Sequence, residues 1–257
     1  MLAAPHFVSF LTPTSVDAAH ETEALLDHYL HHANTPPFIA HRYIQRFVSS
    51  NPSPRYVLAV ATAFRTGEYD GVVYGGGYGD LAATIAAVLL DREARSMALD
   101  ADPHHGVLRE PLLKVHHFLR AMEFLPAGGR GEVQLPNIED DIGMNAHKSP
   151  SVFNFYQPEY QPAGPIARAG LVAPEGGLAT APYLIGYLNG MLSLAEVGLS
   201  GCFRGFGKLC AHWRLRAEFP GVEWSDGALS FAPSPPAASA SGVVEELSLL
   251  LTGGRLN

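Results

Sequence analysis

The chain has 257 residues, of which 47% are hydrophobic and 16% charged, a composition that excludes a disordered protein and fits one large domain or two small ones. Its 17 Lys and Arg against 25 Asp and Glu give a net charge of −8. This acidic balance argues against a nucleic acid as partner and provides no electrostatic attraction to an anionic membrane.

Capping residues and apolar periodicity predict an α-helical bundle over residues 15–124. The side chain of an N-cap residue accepts a hydrogen bond from one of the first helical amides, and Pro suits the first helical position. The predicted capping positions, in chain order, are Thr14 or Ser15, Thr35, Ser53 and Asp80. The first of these helices is predicted to run to His32.

Five predicted apolar faces have the three- and four-residue spacing of a helix. They are Leu25, Leu26, Tyr29 and Leu30; Ala40, Ile44, Phe47 and Val48; Val57, Val60, Ala61 and Phe64; Leu81, Ile85, Val88 and Leu89; and Leu108, Leu112, Val115, Leu119 and Met122. In the last set we expect the four residues from Leu112 onwards to be buried together.

The glycine-rich segment 67–79 precedes a predicted helix, as a phosphate-binding loop does. It lacks the Lys-Ser/Thr pair of a P-loop, and the carboxylate of Asp80 would repel a phosphate. We therefore interpret this segment as a turn that ends at an N-cap.

Residues 125–182 are rich in Gly, Pro and aromatic residues, which predicts ordered but irregular chain over the helices. A short helix is predicted near 163–169, with Gly170 as its C-cap. A longer helix is predicted at 183–199, where Gly186 and Gly190 would let a neighbouring backbone approach closely. Its predicted apolar face comprises Leu184, Tyr187, Leu188, Met191, Leu192 and Ala195.

No sequence pattern indicates membrane insertion, and no signal peptide is recognised. Residues 1–13 have no positively charged region and only a short, broken apolar stretch. The longest apolar run, 183–199, falls short of about 20 residues and contains Asn189 and Glu196. We interpret it as a buried core helix and expect no membrane span.

The C-terminal part is predicted to alternate between short elements and a linker. Asp226-Gly227 predicts the turn of a short hairpin. Residues 233–242 have the low-complexity composition of a linker, and 243–251 predict a final short helix. We expect the whole chain, 1–257, to form a single domain.

The two cysteines, Cys202 and Cys210, leave two alternatives open. In one continuous helix their Cα atoms would lie roughly 12 Å apart, which is too far for a disulfide. The intervening Gly205 and Gly207 make a loop the alternative, and a disulfide can form only in that loop. The sequence pattern leaves the redox compartment open.

No motif predicts a cofactor, a metal site or a serine nucleophile. The chain has no C-x-x-C pair for zinc and no G-x-S-x-G signature. His28 and His32 lie one helical turn apart, but no Glu follows His28 as in H-E-x-x-H. We interpret them as ordinary surface or capping residues and expect no tightly bound transition-metal ion.

Three glutamates that stand next to Pro or Gly are the candidate catalytic residues: Glu110, Glu159 and Glu175. Carboxylates on a fixed backbone can act as a general acid and a general base if their environments differ. The alternative, which we favour, is structural. Glu110 would then begin a helix, where its charge suits the macrodipole, and the other two would hold loops by hydrogen bonds.

Residues 151–160, SVFNFYQPEY, form the most unusual segment because aromatic and polar side chains are interleaved in it. Such rings can stack on a sugar or a peptide while the polar groups orient it. The candidate binding residues are Phe153, Asn154, Phe155, Tyr156, Glu159 and Tyr160. The alternative is that the rings close the top of the helical core, which is the commoner role of such residues.

Six segments within 41–256 form a series, in this order: HRYIQRFVSSNPSPRYV, GDLAATIAAVLLDREAR, LREPLLK, PSVFNFYQPEYQPAGP, GLVAPE and VVEELSLLLTGGRL. They resemble the blocks of a large, mostly bacterial family known as domain of unknown function 1800. The resemblance implies an α-helical fold and an exported or envelope-associated protein. It implies no reaction and no catalytic residues.

Members of that family are usually longer, so this chain resembles their C-terminal portion. The resemblance therefore implies that a missing N-terminal portion, or another protein, covers apolar surface that this chain leaves exposed. We expect that surface on the first predicted helix and on the last one, at Val243, Val244, Leu247 and Leu250.

Together these patterns predict a mainly α protein: a helical bundle with long, ordered loops rich in Gly, Pro and aromatic residues. Our first hypothesis is a non-catalytic binding or scaffold module that acts with an unknown protein partner at the cell envelope through residues 151–160. The alternative is a hydrolase-like enzyme that acts on an extracellular polymer through the three glutamates.

Overall fold

A computed structural model describes residues 14–129, 131–210, 218, 224–234 and 239–255. The described chain is mainly α-helical, as the sequence predicts. It divides into two compact units, Met1–Val107 with Pro165–Val172, and Leu108–Gly164 with Ala173–Asn257. That the chain forms a single domain stays a prediction.

The helices are short to medium in length, and the strands are very short. In chain order the described helices and strands are α1 (Ser15–Leu30), α2 (Thr35–Phe47), α3 (Pro54–Thr66), β1 (Glu68–Tyr69), β2 (Val72–Val73), α4 (Leu81–Leu90), α5 (Pro111–Ala121), β3 (Phe124–Pro126), α6 (Ile138–Ile142), α7 (Pro165–Arg168), α8 (Ala181–Val197), β4 (Gly227–Leu229) and α9 (Ala240–Thr252).

Three of the four predicted N-caps are confirmed. Thr14, Ser53 and Asp80 cap α1, α3 and α4 with their side chains. Ser53 Oγ, for example, accepts from the amide of Tyr56 at 3.2 Å. The prediction for Thr35 is wrong: it is the first residue of α2, and Asn34 holds the N-cap position without a side-chain hydrogen bond.

The first unit has its core between α2, α3 and α4. The buried residues of this core are Ala40, Ile44, Tyr56, Val60, Ala61, Ala63, Ala83, Ala87 and Val88. Most of these residues are small, so the helices can approach closely. The largest of them, Tyr56, satisfies its hydroxyl by donating a hydrogen bond to the Val88 carbonyl. Ala and Val therefore make up most of the buried faces here, with Ile44 and Tyr56 as the larger members.

That preference explains where the predicted faces of the first unit fail. On α4 the predicted Leu81 and Leu89 are 52% and 50% exposed, while Ala83 and Ala87 are fully buried. On α2, Phe47 is 56% exposed. Because α4 is apolar on nearly every side, periodicity alone could not select the face that meets α3.

The apolar residues of α1 and α9 are partly uncovered. Leu25, Leu26, Tyr29 and Leu30 are all exposed, and Val244 and Leu250 are exposed on α9. Val243 and Leu247 are half-buried. Exposed apolar surface is therefore present on both helices within the described residues, whereas the missing portion that would cover it stays a prediction.

The glycine-rich segment forms a turn, as predicted. β1 and β2 pair antiparallel, with Glu68 opposite Val73. Asp80 Oδ1 accepts from the amide of Ala83 at 2.9 Å, and its Oδ2 accepts from the amide of Gly75. One carboxylate thus joins the end of the loop to the start of α4, which leaves no role for this Asp at a phosphate.

The core of the second unit gathers residues from α5, α6, α8 and three of the segments that connect the elements. Its buried residues are Val115, Ile138, Ile142, Met144, Leu178, Leu194, Leu199 and Phe206. Leu112 and Leu119 pack against it, and Met122 is also buried. The predicted apolar stripe of α5 is therefore confirmed except at Leu108, which precedes the helix and is 45% exposed.

Gly186 and Gly190 of α8 face this core, together with Leu194 of the same helix. The carbonyl of Asp141 lies against Gly186, and the ring of Phe206 lies against Gly190. The predicted close approach is confirmed. The predicted face is confirmed at Tyr187 and Met191, which pack against the core, and it is wrong at Ala195, which is exposed, and at its three leucines. Leu184, Leu188 and Leu192 are 48%, 57% and 58% exposed. Gly186 and Gly190, one turn apart, leave a groove on α8. The Asp141 backbone and the Phe206 ring fill this groove.

The strand at Gly227–Leu229 is not part of the local hairpin that Asp226-Gly227 predicts. It pairs antiparallel with β3, and Gly227 lies opposite Pro126. The Asp226 side chain instead accepts from the amides of Lys208 and Leu209, at 2.8 and 3.2 Å. The turn signal therefore failed because this Asp holds a distant loop.

Cys202 and Cys210 form a disulfide, with their Cα atoms 4.6 Å apart. The loop alternative is thus the correct one. The chain between them folds back, and the amide of Gly207 donates to the Ser200 carbonyl at 3.1 Å. The loop places Phe206 on Gly190 of α8.

The last helix begins earlier than predicted. Ser239 caps α9 by accepting from the amide of Gly242 at 3.1 Å, so the end of the predicted linker 233–242 is helical. Residues 235–238 lie outside the described residues.

The short helix predicted near 163–169 is present as α7, Pro165–Arg168. Gly170 follows it with a φ of 69°, the left-handed conformation of a glycine that ends a helix. None of the helices that the structure describes has the length and apolar character to cross a membrane.

Candidate functional site

The candidate binding segment begins with a tight turn at 151–154. Ser151 and Asn154 form an antiparallel bridge, and the amide of Asn154 donates to the Ser151 carbonyl at 3.2 Å. Asn154 has a φ of 69°, a left-handed conformation that Asn tolerates better than most residues. The turn is therefore closed by its own backbone.

Side chains reinforce this turn from both ends. Ser151 Oγ accepts from the amide of Phe153 at 3.1 Å and donates to the Asn154 carbonyl at 3.2 Å. Ser149 Oγ donates to Asn154 Oδ1 at 3.2 Å. The two residues at the tip, Val152 and Phe153, are 94% and 49% exposed. A well-bonded turn thus carries two apolar side chains into solvent.

Tyr156 anchors the segment to the start of α5. Its hydroxyl donates to Glu110 Oε2 at 2.9 Å. Glu110 is 5% exposed and holds the N-cap position of α5, next to Pro111. A carboxylate at this end of a helix is favoured by the positive pole of the macrodipole. Phe155 and Tyr156 also pack against the core of the second unit.

A second anchor lies at the end of the segment. The Tyr160 carbonyl accepts from the amide of Ala173 at 2.9 Å. Tyr160 contacts the 3₁₀ turn Pro174–Leu178 at Gly176 and Gly177, and Tyr156 contacts it at Gly177. The approach is tightest at Gly177, where a side-chain Cβ would come 3.3 Å from the Cβ of Tyr156.

The structure brings only part of the predicted site together. Glu110 and Tyr156 are hydrogen-bonded, and Glu175 sits buried, 4% exposed, in the 3₁₀ turn that touches the two tyrosines. Glu159 is exposed and lies between Tyr156 and Tyr160 in the chain. The candidate binding residues divide likewise: Phe153 and Tyr160 are exposed, whereas Asn154, Phe155 and Tyr156 are half-buried.

Histidines do not assemble with acids or cysteines into a ligand set in the part of the chain that the structure describes. There, no three His, Cys, Asp or Glu side chains lie close enough to hold a metal ion. The ring centroids of His28 and His32 lie 6.2 Å apart. The ring of Tyr29 also lies against that of His28.

A basic pocket in the second unit was not predicted from the sequence. It has a volume of about 770 Å³, and the residues that matter chemically are Arg109, Lys114, His117, Phe118, Tyr187 and Arg255. Lys114 and His117 are three residues apart on α5, a spacing that puts two side chains on one helix face. That spacing was the available signal, but the aromatic and C-terminal residues come from distant parts of the chain.

Comparison with known proteins gives one match. No curated protein and no solved structure is similar enough to this chain to match it. The family model described as "Protein of unknown function (DUF1800)" matches residues 6–257, which is nearly the whole chain. The resemblance of the six sequence blocks is thereby confirmed, and the chain belongs to this family.

Proposed function

We propose that this protein is a non-catalytic binding module, and that the turn at 151–154 contacts a protein partner through Val152 and Phe153. The observation that carries the proposal is the 94% and 49% exposure of these two side chains on a turn closed by its own hydrogen bonds. Neither side chain is needed at the tip to close the turn, since Ser151 and Asn154 do so.

The fixed backbone of the turn supports a role in recognition. A contact loop that is already ordered loses little conformational freedom when it binds, so more of the contact energy appears as affinity. Tyr156 and Tyr160 hold the C-terminal side of the segment on the second unit. Aromatic side chains are enriched among the residues that dominate interface energies. Phe153 is the aromatic residue at this tip.

Burial of the carboxylates supports a structural role for two of them. Glu110 and Glu175 are 5% and 4% exposed, and Glu110 accepts from Tyr156. A glycoside hydrolase, in contrast, places two carboxyl groups on either side of a substrate bond. In this proposal Glu110 and Glu175 stabilise the segment that presents the turn.

The disulfide supports action outside the cytoplasm. Cys202 and Cys210 are joined, and disulfides persist mainly in oxidising compartments such as the periplasm or the cell exterior. The cell envelope, which the family resemblance implies, is such a place. We therefore propose that the partner is an envelope or secreted protein.

Site-specific photo-crosslinking in the producing cells tests this proposal. A photoreactive phenylalanine analogue replaces Val152 in one variant and Met97 in the other. Met97 is 85% exposed in the first unit and so controls for non-specific capture by an exposed apolar position. We expect one discrete protein adduct at position 152 that is absent at position 97. Adducts of equal pattern at both positions, or none at 152, would contradict the proposal.

The enzyme alternative is tested in parallel with purified protein. The chain is screened against polysaccharide and sulfate-ester libraries, beside the variants Glu110→Gln, Glu159→Gln and Glu175→Gln. Turnover of one substrate that any of these variants abolishes, without loss of the folded state by circular dichroism, would replace the binding module with a hydrolase. Our proposal predicts no such turnover.

A further inference from the structure

The basic pocket of the second unit contrasts with the net charge of the chain. The chain carries a net charge of −8, yet the pocket contains Arg109, Lys114 and Arg255, and no Asp or Glu is among the described residues that line it. Its volume of about 770 Å³ lies within the usual range for small-molecule sites, about 300–1,000 Å³. Positive charge is therefore concentrated at a concave site.

Two of these cations lack a protein counter-charge. Within the described residues, neither the Arg109 side chain nor the Lys114 side chain forms a hydrogen bond or an ion pair. Burial and the nearby positive charge of Arg109 lower the pKa of Lys114. Two like charges facing one pocket repel each other, and an anion between them would remove that cost.

Aromatic and aliphatic side chains also line the pocket. The Lys114 ammonium lies 5.9 Å from the centre of the Tyr187 ring, within the range of a cation–π contact. Phe118, Met191 and Leu249 also line the pocket. A bare inorganic ion would make no contact with these apolar side chains. The pocket therefore fits a molecule with both an anionic group and an apolar body.

The C-terminal end of α9 is the competing partner for these cations, because the carbonyls there form a negative pole. Most of those carbonyls already have donors. Nε2 of His117 lies 2.9 Å from the Leu250 carbonyl, which can only accept, so this nitrogen carries the proton. The amides of Gly253 and Gly254 donate to the carbonyls of Leu249 and Ser248, at 3.1 and 3.0 Å. The helix end therefore docks through His117 rather than through Arg109 or Lys114.

We propose that this pocket binds an organic anion. Arg109 and Lys114 would hold a phosphate, sulfate or carboxylate group, while an attached ring or hydrocarbon body packs on Phe118 and Tyr187. The three oxyanions share the chemistry that the cations recognise, and Arg109 can hold each of them through two parallel hydrogen bonds.

Isothermal titration calorimetry with four simple probes separates the parts of this proposal. Phenyl phosphate, phenyl sulfate and phenylacetate carry the anion and the ring; benzyl alcohol carries the ring alone. We expect at least one of the three anions to bind saturably, with an affinity that falls as salt is added, and benzyl alcohol to bind at least about tenfold more weakly. Equal affinity for benzyl alcohol, or no binding of any anion at millimolar concentration, would overturn the proposal.

Matched variants place the binding at this pocket. Lys114→Met keeps most of the side-chain stem and removes the charge, and Arg109→Gln removes the second cation. Each should weaken the bound anion by about tenfold or more. Lys148→Met is the control, because Lys148 is exposed and pairs with Glu139 at 3.2 Å elsewhere in the same unit. Unchanged affinity in both pocket variants, with folding verified by thermal melts, would also overturn the proposal.

Discussion

The hydroxyl of Tyr156 donates a hydrogen bond to the buried carboxylate of Glu110 across 2.9 Å. The two residues are 46 positions apart, so this bond joins the aromatic segment to the first turn of α5. Removing the hydroxyl takes away a charge-assisted hydrogen bond, which contributes about 1.5–3 kcal/mol when the acceptor is charged.

Tyr156→Phe should therefore lower the free energy of unfolding by about 1–3 kcal/mol, as measured by urea denaturation. Tyr160→Phe is the matched control. It makes the same change in the same segment, and the Tyr160 hydroxyl has no hydrogen bond among the described residues. Equal free energies of unfolding for the two variants would show that the bond to Glu110 adds nothing to stability.

Much of the helical pattern, with its caps, could be predicted because it depends on neighbours in the chain. Ser53 followed by Pro54 contains all the chemistry of an N-terminus, and so does Asp80 before an apolar run. The pairing of Tyr156 with Glu110 depends on how distant segments pack, and no spacing in the sequence encodes it. The same holds for Asp226, whose local turn signal is overridden by the amides of a distant loop.

Buried faces were predicted well where large and small apolar residues separate, as along α5 at Val115. On α8 the three leucines of the predicted face were mispredicted as buried, because the leucines of this helix outnumber the glycines that make its closest contacts. The basic pocket was missed for a related reason. Its charges are ordinary in the sequence, and only the fold brings Arg109, Lys114 and Tyr187 to one pocket with no Asp or Glu among the described residues that line it.

Gly186 should not tolerate a side chain. A Cβ there would collide with the backbone of Asp141 on α6, where there is no flexible side-chain end to move aside. Gly186→Ala is expected to lower the free energy of unfolding by about 1–3 kcal/mol, a cost typical of overpacking, despite the higher helix propensity of Ala. Gly77→Ala is the control, because nothing lies within 4 Å of a Cβ at Gly77. A Gly186→Ala variant as stable as this control would contradict the packing of α6 on α8.

Asp141 should make stability depend on pH. Burial, with a smaller contribution from the charge of Asp140, raises its pKa from 3.8 to about 6. Its Oδ2 is buried without a hydrogen-bond partner among the described residues. Between about pH 4 and 6 the folded state therefore keeps a proton that the unfolded state has lost, so the contribution of Asp141 to stability falls as pH rises through this range.

Asp141→Asn stays neutral and should remove that fall. Relative to the wild type, the variant should be more stable by on the order of 1–3 kcal/mol at pH 7.5 and nearly equal at pH 4. Chemical denaturation at both pH values gives the difference, and other titrating groups cancel because both proteins contain them. Asp70→Asn, at an exposed position of the first unit, is the control. It should leave the free energy of unfolding unchanged at both pH values. A constant difference at the two pH values would mean that the pKa of Asp141 is the same in the folded and unfolded states.

The affinity for the protein captured at position 152 decides whether the turn at 151–154 is a contact surface. It is measured by calorimetry for the wild type, for Phe153→Ser and for the control Met97→Ser. The melting temperature of each protein is measured as well, to show that it is folded. If the turn at 151–154 is the contact surface, Phe153→Ser weakens binding by about tenfold or more, Met97→Ser leaves it unchanged, and both variants stay folded. Equal affinity of the Phe153→Ser variant and the wild type would contradict the account.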